Sequence, residues 1–327
     1  LSLMHFAFNA ASELATELGL ADEAAHWKAI GAQLPDLNLD EDRALTFAKG
    51  FPYDQSHRHF SHAMSIHPLG LVDWSQGEKS QEIIKATLKK LQDFGPDYWC
   101  GYSYSWFGNM KARAFDGEGA ADALRTFAEC FCLPNTFHAN GDQTKSGKSK
   151  FTYRPFTLEG NFAFAAGIQE MLLQSHTGVI RVFPAVPVAW QDVSFDKLRA
   201  MGAFLVSAEK VAGQVRQVRI LPEQGGTLRL AIPEGCKVAS VTGNKGDKLE
   251  KEGVLILETE KDKTVTVQLT YMKHVNKILA GLITCCVILL LSGCSPRQGE
   301  KHDFSIGKGT FLLDGKPFVI KAAEIHY

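Results

Sequence analysis

The chain has 327 residues, a formal net charge of -1 and 45% hydrophobic residues. This is enough apolar material for one large or two medium cores, and the near-neutral charge excludes nucleic-acid binding driven by phosphate attraction. Seven cysteines are present without CxxC spacing. A zinc site is therefore not expected, and buried free thiols are the default because a Cys130–Cys132 bridge would be strained.

Residues 4 to 34 carry apolar positions at helical spacing: Phe6, Ala10, Leu14 and Leu18, then Ala24, Trp27, Ile30 and Leu34. Gly19 separates the two runs and Pro35 stops the second. Further helices are predicted over 82–94, with Ile83, Ile84, Leu88 and Leu91 on one side, and over 161–174. Between them, 105–115 and 119–132 read as a helical hairpin hinged at Asp116-Gly117. Long loops rich in His, Tyr, Trp and Asn alternate with short ones, a pattern that suggests an α/α toroid with a sugar-sized cleft at one end. The chain opens inside a helical pattern without a start methionine, so a further upstream segment is expected.

After Gly178 the pattern changes to short alternating runs bounded by Gly, Pro, Asn or Asp. Strands are predicted at 179–183, 204–206, 215–221, 227–232, 237–241, 254–257 and 264–270. Regular short strands imply an antiparallel β-sandwich. The fold class is therefore α then β, multidomain. The boundaries are 1–177 for a partial toroid, 178–271 for the sandwich, 272–294 for a signal-like helix, and 295–327 for a short β segment.

The segment from Met272 reads Met-Lys-His-Val-Asn-Lys, then an apolar run from Ile278 to Leu291, then Ser292-Gly293-Cys294. This is the layout of a bacterial lipoprotein signal, with Cys294 as the lipidated residue. The run is shorter than the roughly 20 apolar residues a membrane span needs. Membrane contact is expected only through this signal, and the implied location is periplasmic or cell-surface. A start signal behind a finished β domain suggests two adjacent reading frames joined in one chain.

Two loops carry candidate chemistry. The first is Ser56-His57-Arg58-His59-Phe60-Ser61-His62. His57, His59 and His62 lack a helical i, i+4 pair and a nearby carboxylate set, so no metal is expected and no cofactor is implied. Arg and His suit sugar hydroxyls, while a purely structural role for His59 and His62 is the competing reading. The second loop runs from Asn135 to Gln143 and leads through Arg154 to Glu159-Gly160-Asn161-Phe162. Glu159 precedes a helix, where a carboxylate either caps or, flanked by Phe156, Leu158 and Phe162, serves catalysis. The candidates are Glu159 as the catalytic residue, with His57, Arg58, His59, His62, Trp106, His138, Asn140, Arg154 and Asn161 binding an oligosaccharide or polysaccharide. Asp142 is the fallback carboxylate.

In these residues the chain resembles the C-terminal part of glycoside hydrolase family 95, whose members are inverting α-L-fucosidases and α-L-galactosidases. The resemblance covers residues 1–271. It rests on Trp27-Lys28-Ala29-Ile30, the HRHFSH loop, Gly101-Tyr102-Ser103-Tyr104-Ser105-Trp106, Ala112-Arg113 with Asp116-Gly117-Glu118, Leu158 to Phe162, Glu170 to His176, Phe183 to Pro187 with Trp190, and Leu198-Arg199-Ala200. It implies an (α/α)6 six-hairpin barrel followed by a small β domain. It also implies that the general acid, a Glu, and the Asn pair that positions the water lie in the first half of the toroid, outside this chain. The fragment alone is then expected to be inactive. The family's Asp-Gly-Asn-Phe aspartate corresponds to Glu159, and its His-Pro-Pro-Phe lead-in to Tyr153-Arg154-Pro155-Phe156. The extra methylene moves the carboxylate by more than about an ångström, which matters for catalysis and for sugar choice.

Residues 304–327 resemble the opening of a family 35 β-galactosidase, through Phe311 to Tyr327 with Asp314-Gly315-Lys316-Pro317 as the turn. Glu324-Ile325-His326-Tyr327 would then end the first strand of a TIM barrel. Competing functions for the first part are a non-catalytic carbohydrate-binding relative, and an unrelated toroid lyase or phosphorylase using Arg58 with Tyr104.

Overall fold

The computed structural model describes residues 1–271 and three later strands, Phe304–Gly307, Thr310–Leu313 and Lys316–Phe318. The chain divides into two units, Leu1–Tyr271 and Met272–Tyr327. The signal-like segment 272–294 with Cys294, and Glu324 to Tyr327, lie outside the described residues.

The first unit begins with helices α1 (Ser2–Glu17) and α2 (Ala21–Gly31), which pack on each other. Helices α3 (Glu78–Phe94), α4 (Gly101–Arg113), α5 (Gly117–Phe131) and α6 (Glu159–Leu172) follow. Each of the last three starts two to four residues before the periodicity suggests, because glycines at Gly101, Gly117 and Gly160 hide the first turns from an apolar pattern. The Asp116 side chain accepts a hydrogen bond from Gly119 N at 2.8 Å and caps α5, so the predicted hinge is a helix start. Ile84, Leu88 and Leu91 of α3 are buried with Phe107, Met110, Phe127 and Phe131 in one core that also takes in Phe60 and Trp99.

The second half of this unit is antiparallel β structure. A two-residue pair, β1 (Leu173–Gln174) and β2 (Arg181–Val182), leads out of α6. Strands β3 (Val193–Ala200), β4 (Phe204–Val211), β5 (Gln214–Pro222), β6 (Gly226–Ala231), β7 (Cys236–Thr242), β8 (Lys245–Lys251), β9 (Val254–Thr259) and β10 (Val265–Tyr271) form two sheets. Their orders are β3-β4-β5-β10-β7 and β6-β9-β8. Val206, Val218, Ile220, Val265 and Val267 of the first sheet share a core with Leu228, Leu230, Leu255 and Leu257 of the second. Strands β3 and β8 are absent from the sequence expectation. Both are edge strands; β8 (KGDKLEK) is exposed at every residue, and β3 breaks register between Phe195 and Leu198. Charged, irregular edges resist pairing with other chains, and the same features erase the alternation that marks a strand. Cys100, Cys130, Cys132 and Cys236 are free thiols.

In the second unit the backbone forms a three-stranded antiparallel meander, β11 (Phe304–Gly307), β12 (Thr310–Leu313) and β13 (Lys316–Phe318). Leu313 pairs with Lys316 where the last two strands meet. No helix among the described residues is long and apolar enough to cross a membrane.

Candidate active site

Helices α4 and α6 lie close enough to share hydrogen bonds. Ser105 Oγ donates to Gly160 O at 3.1 Å, and Asn109 Nδ2 donates to Ala163 O at 2.8 Å. A Cβ at Gly108 or Gly167 would come within 2.8 or 2.9 Å of Leu124 of α5, so these glycines set the spacing of the three helices. The first turns of α4 and α6 therefore end side by side. That pair of helix ends is where the two polar loops are tied down.

The HRHFSH loop is pinned by its backbone. Ser103 Oγ donates to Arg58 O at 2.8 Å, Ser56 Oγ donates to Gly95 O at 2.8 Å, and Tyr98 N donates back to Ser56 Oγ at 2.9 Å. The side chains of His57, Arg58 and His59 are exposed and interlocked. His57 Nδ1 accepts from His59 N at 3.1 Å, and Arg58 Nε donates to His59 Nε2 at 3.2 Å. Desolvation, then the charges of Arg58 and His57, hold the His59 pKa below its ordinary value. This is a donor-rich surface that sets the Arg58 guanidinium beside a neutral His59.

The second loop reaches the same helix ends. Gly101 N donates to Asn140 O at 3.2 Å. Glu159 opens α6, is exposed, and among the described residues makes no hydrogen bond or ion pair. It does not cap its helix. Its charge reaches Tyr102, whose pKa is raised by burial and then by Glu159. Tyr102 is a neighbour the sequence reading did not single out; its place one turn before Trp106, with ring centroids 5.7 Å apart, is the signal that could have found it. The flanking Phe156, Leu158 and Phe162 are exposed as well. The expected apolar enclosure of the Glu159 carboxylate is therefore absent.

Several predicted sugar ligands are turned inward. His62 is 5% exposed and stacks on Tyr53 with centroids 5.1 Å apart, so it is a core histidine. His138 is 0% exposed and cannot touch a sugar. Both ends of the Asn161 amide are used: Oδ1 accepts from His138 N at 3.0 Å and Nδ2 donates to Thr136 O at 2.9 Å. Trp106 donates Nε1 to His67 O at 2.9 Å and packs on the Phe60 ring rather than lying open. Arg154 is exposed, and the Asn140 side chain accepts only a long bond from Thr157 Oγ1 at 3.4 Å. Asp142 cannot stand in for Glu159. It is buried and accepts from Thr144 N, Thr144 Oγ1 and Lys148 N at 2.9, 2.7 and 3.0 Å. Burial alone would raise its pKa, but these bonds outweigh it and keep it ionised. The proposed Arg58–Tyr104 lyase pairing also lacks its second member, since Tyr104 is buried and donates to Lys148 O at 2.8 Å. Among the described residues no three His, Cys, Asp or Glu side chains converge as metal ligands.

A buried histidine, His62, and a half-buried one, His67, give a pH prediction. Desolvation lowers the pKa of His62 and of His67 from 6.5 to about 4. Both histidines are neutral in the folded state, and the unfolded chain takes up their protons first as pH falls. Stability is therefore full above about pH 6.5 and is lost as pH drops toward about 4. Each site contributes about 1.4 kcal/mol per pH unit at the steepest point. Urea midpoints measured from pH 7.5 to 4.5 should fall progressively, and His62→Phe should flatten the slope. A flat profile would contradict neutral burial.

The opposite ends of α4 and α6 carry a polar cluster that the sequence reading did not find. Arg113 Nε and Nη2 donate to Glu170 Oε2 and Oε1 at 2.6 and 2.8 Å, and His176 Nε2 lies 2.6 Å from Asp73 Oδ2. Gln174 Nε2 donates to Ala112 O at 2.9 Å. These bonds fasten the helices to the start of the β region. The Ala112-Arg113 and Glu170 to His176 stretches thus serve the architecture.

Comparison with known proteins divides the chain at the end of α6. A family profile described as the glycosyl hydrolase family 95 catalytic domain matches residues 1–172, and one described as the glycoside hydrolase family 95 C-terminal domain matches residues 174–267. The chain is 29% identical over 213 residues to a protein of Arabidopsis thaliana named Alpha-L-fucosidase 2, covering 63% of this chain and 24% of that relative. It thus spans about a quarter of the relative's length.

Proposed function

Since the chain belongs to glycoside hydrolase family 95, we propose that residues 1–271 are the C-terminal part of an inverting glycosidase acting on terminal α-L-fucosyl or α-L-galactosyl groups. The observation that carries this reading is Glu159. Its carboxylate is unengaged and exposed, at the helix ends where the His57-Arg58-His59 loop and the Asn140 loop are both anchored. Inverting hydrolysis needs one group to protonate the leaving oxygen and another to draw a proton from a water on the opposite face of the ring. Glu159 is the base for that water. Arg58, His57, His59, Arg154 and the Asn140 amide are the hydroxyl-binding groups. The helices form part of an (α/α)6 toroid whose other half supplies the acid, so residues 1–271 alone are inactive. Full-length protein should hydrolyse an aryl α-L-fucoside or α-L-galactoside, and purified residues 1–271 should not. Robust turnover by the isolated segment would place the acid within it.

A second reading has one observation behind it. The family's aspartate is a glutamate here, as it could be in a non-catalytic relative that retains only sugar binding. Binding of L-fucose or L-galactose by full-length protein, without turnover of either aryl glycoside, would favour it.

Residues 272–294 are, in the same proposal, a lipoprotein signal lipidated at Cys294. Residues 295–327 begin a family 35 β-galactosidase, and location is periplasmic or cell-surface. Intact-mass analysis of the native products should then give two proteins, the second lipidated. One uncleaved species spanning Met272 would refute this.

A further inference from the structure

Among the described residues the Glu159 side chain makes no bond, so what the protein fixes is the backbone that carries it. Several groups hold that backbone, among them Ser105 Oγ on Gly160 O and Asn161 Nδ2 on Thr136 O, but His138 alone bonds it both before and after Glu159. His138 N donates to Asn161 Oδ1 at 3.0 Å, two residues after Glu159. Its ring Nδ1 lies 2.7 Å from Thr157 O, two residues before Glu159. Thr157 N donates to His138 O at 3.3 Å. Nδ1 also lies 2.8 Å from Thr157 Oγ1; the Thr157 carbonyl can only accept, so Nδ1 carries the proton and the hydroxyl oxygen shares it as a second acceptor. The ring also fills the gap between the two helix ends. A Cβ at Gly101, the first residue of α4, would lie 2.2 Å from Nε2, and one at Gly160, next to Glu159, would lie 2.3 Å from Nδ1.

We propose that His138 is the positioning residue for Glu159: an imidazole wedged between the first turns of α4 and α6 that fixes the backbone from which the carboxylate projects. This rests on the reading of Glu159 as the base. It replaces the expectation that His138 binds sugar.

The chemistry fits a neutral ring. Both neighbouring helices present their positive ends to it, and an imidazolium there would face two like partial charges. Burial lowers the His138 pKa, opposed only in part by the Thr157 bond and the Glu159 charge. A leucine could fill most of the space but could not hold Thr157 O. An asparagine keeps a donor close to the Nδ1 position while giving up volume. Misplacing a catalytic group by about 1 Å can cost about 10²-fold in rate, so the donor is the decisive part.

The test uses full-length protein with His138→Leu, His138→Asn and Glu159→Gln. Turnover is measured on an aryl α-L-fucoside and an aryl α-L-galactoside, and amide hydrogen exchange over residues 157–161. His138→Leu should lower kcat about 10- to 100-fold with KM nearly unchanged, and should speed exchange across 157–161. His138→Asn should restore at least part of both. Equal losses in the two variants would overturn the proposal. So would a rise in KM at constant kcat, which would mean direct sugar contact, or unchanged exchange in His138→Leu. Normal turnover in Glu159→Gln would remove the catalytic reading alone, and exchange would still decide whether His138 fixes the turn. If the leucine variant does not fold, Gly160→Ala displaces the same ring. It should reproduce the kcat loss and faster exchange, and wild-type values in it would overturn the proposal.

Discussion

Replacing Glu159 by Gln in full-length protein is expected to lower kcat on aryl α-L-fucosides by about 10²–10⁴-fold, the range that positioned general acid–base help contributes. The amide keeps size and polarity but cannot take a proton from water. The exposed side chain makes no bond that the change would break, so the urea midpoint should stay within experimental error. Glu159→Asp restores the family residue and should retain substantial activity, with a shift toward fucosides if carboxylate reach sets the sugar. A large stability loss with normal turnover in Glu159→Gln would make Glu159 structural. The assignment could not then pass to Asp142, whose oxygens are already committed to Thr144 and Lys148.

The largest expected effect on stability lies at the other end of the same helices. Arg113→Met should cost about 3–5 kcal/mol, because it leaves Glu170 charged and partly buried without its partner. Arg113 and Glu170 side chains are only 6% and 18% exposed. Their bidentate geometry is the strong form of the pair. The double variant Arg113→Met, Glu170→Met should recover much of the loss, since an apolar pair of similar volume needs no compensation. Urea unfolding of the three variants checks this. A single-variant cost below about 1 kcal/mol would show that water reaches the pair.

The long elements were legible in the sequence because each has one buried face. Ile84, Leu88 and Leu91 mark α3, and Val218 and Ile220 mark β5, at the periods their structures demand. Helix starts were not legible where glycines at Gly101, Gly117 and Gly160 serve close packing. Strand β8 was lost because a solvated edge carries no apolar alternation. In the site, composition located both loops, yet it could not say which histidines face water. His57, His59, His62 and His138 look alike in a polar stretch. Only packing against Tyr53 or between Gly101 and Gly160 separates the buried two from the exposed two. Nor could it show that Asp142 staples its own loop while Glu159 stays free.

Chemical rescue tests the central claim most directly. In an inverting enzyme whose base is removed, azide can occupy the place of the attacking water and needs no deprotonation. Full-length Glu159→Ala, nearly inactive in buffer, should regain turnover of an aryl α-L-fucoside or α-L-galactoside on addition of azide. The product should be the β-L-glycosyl azide, identified by its anomeric proton in NMR. Wild-type turnover by Glu159→Ala without azide, or rescue that yields only the α-azide, would contradict Glu159 as the base of an inverting reaction.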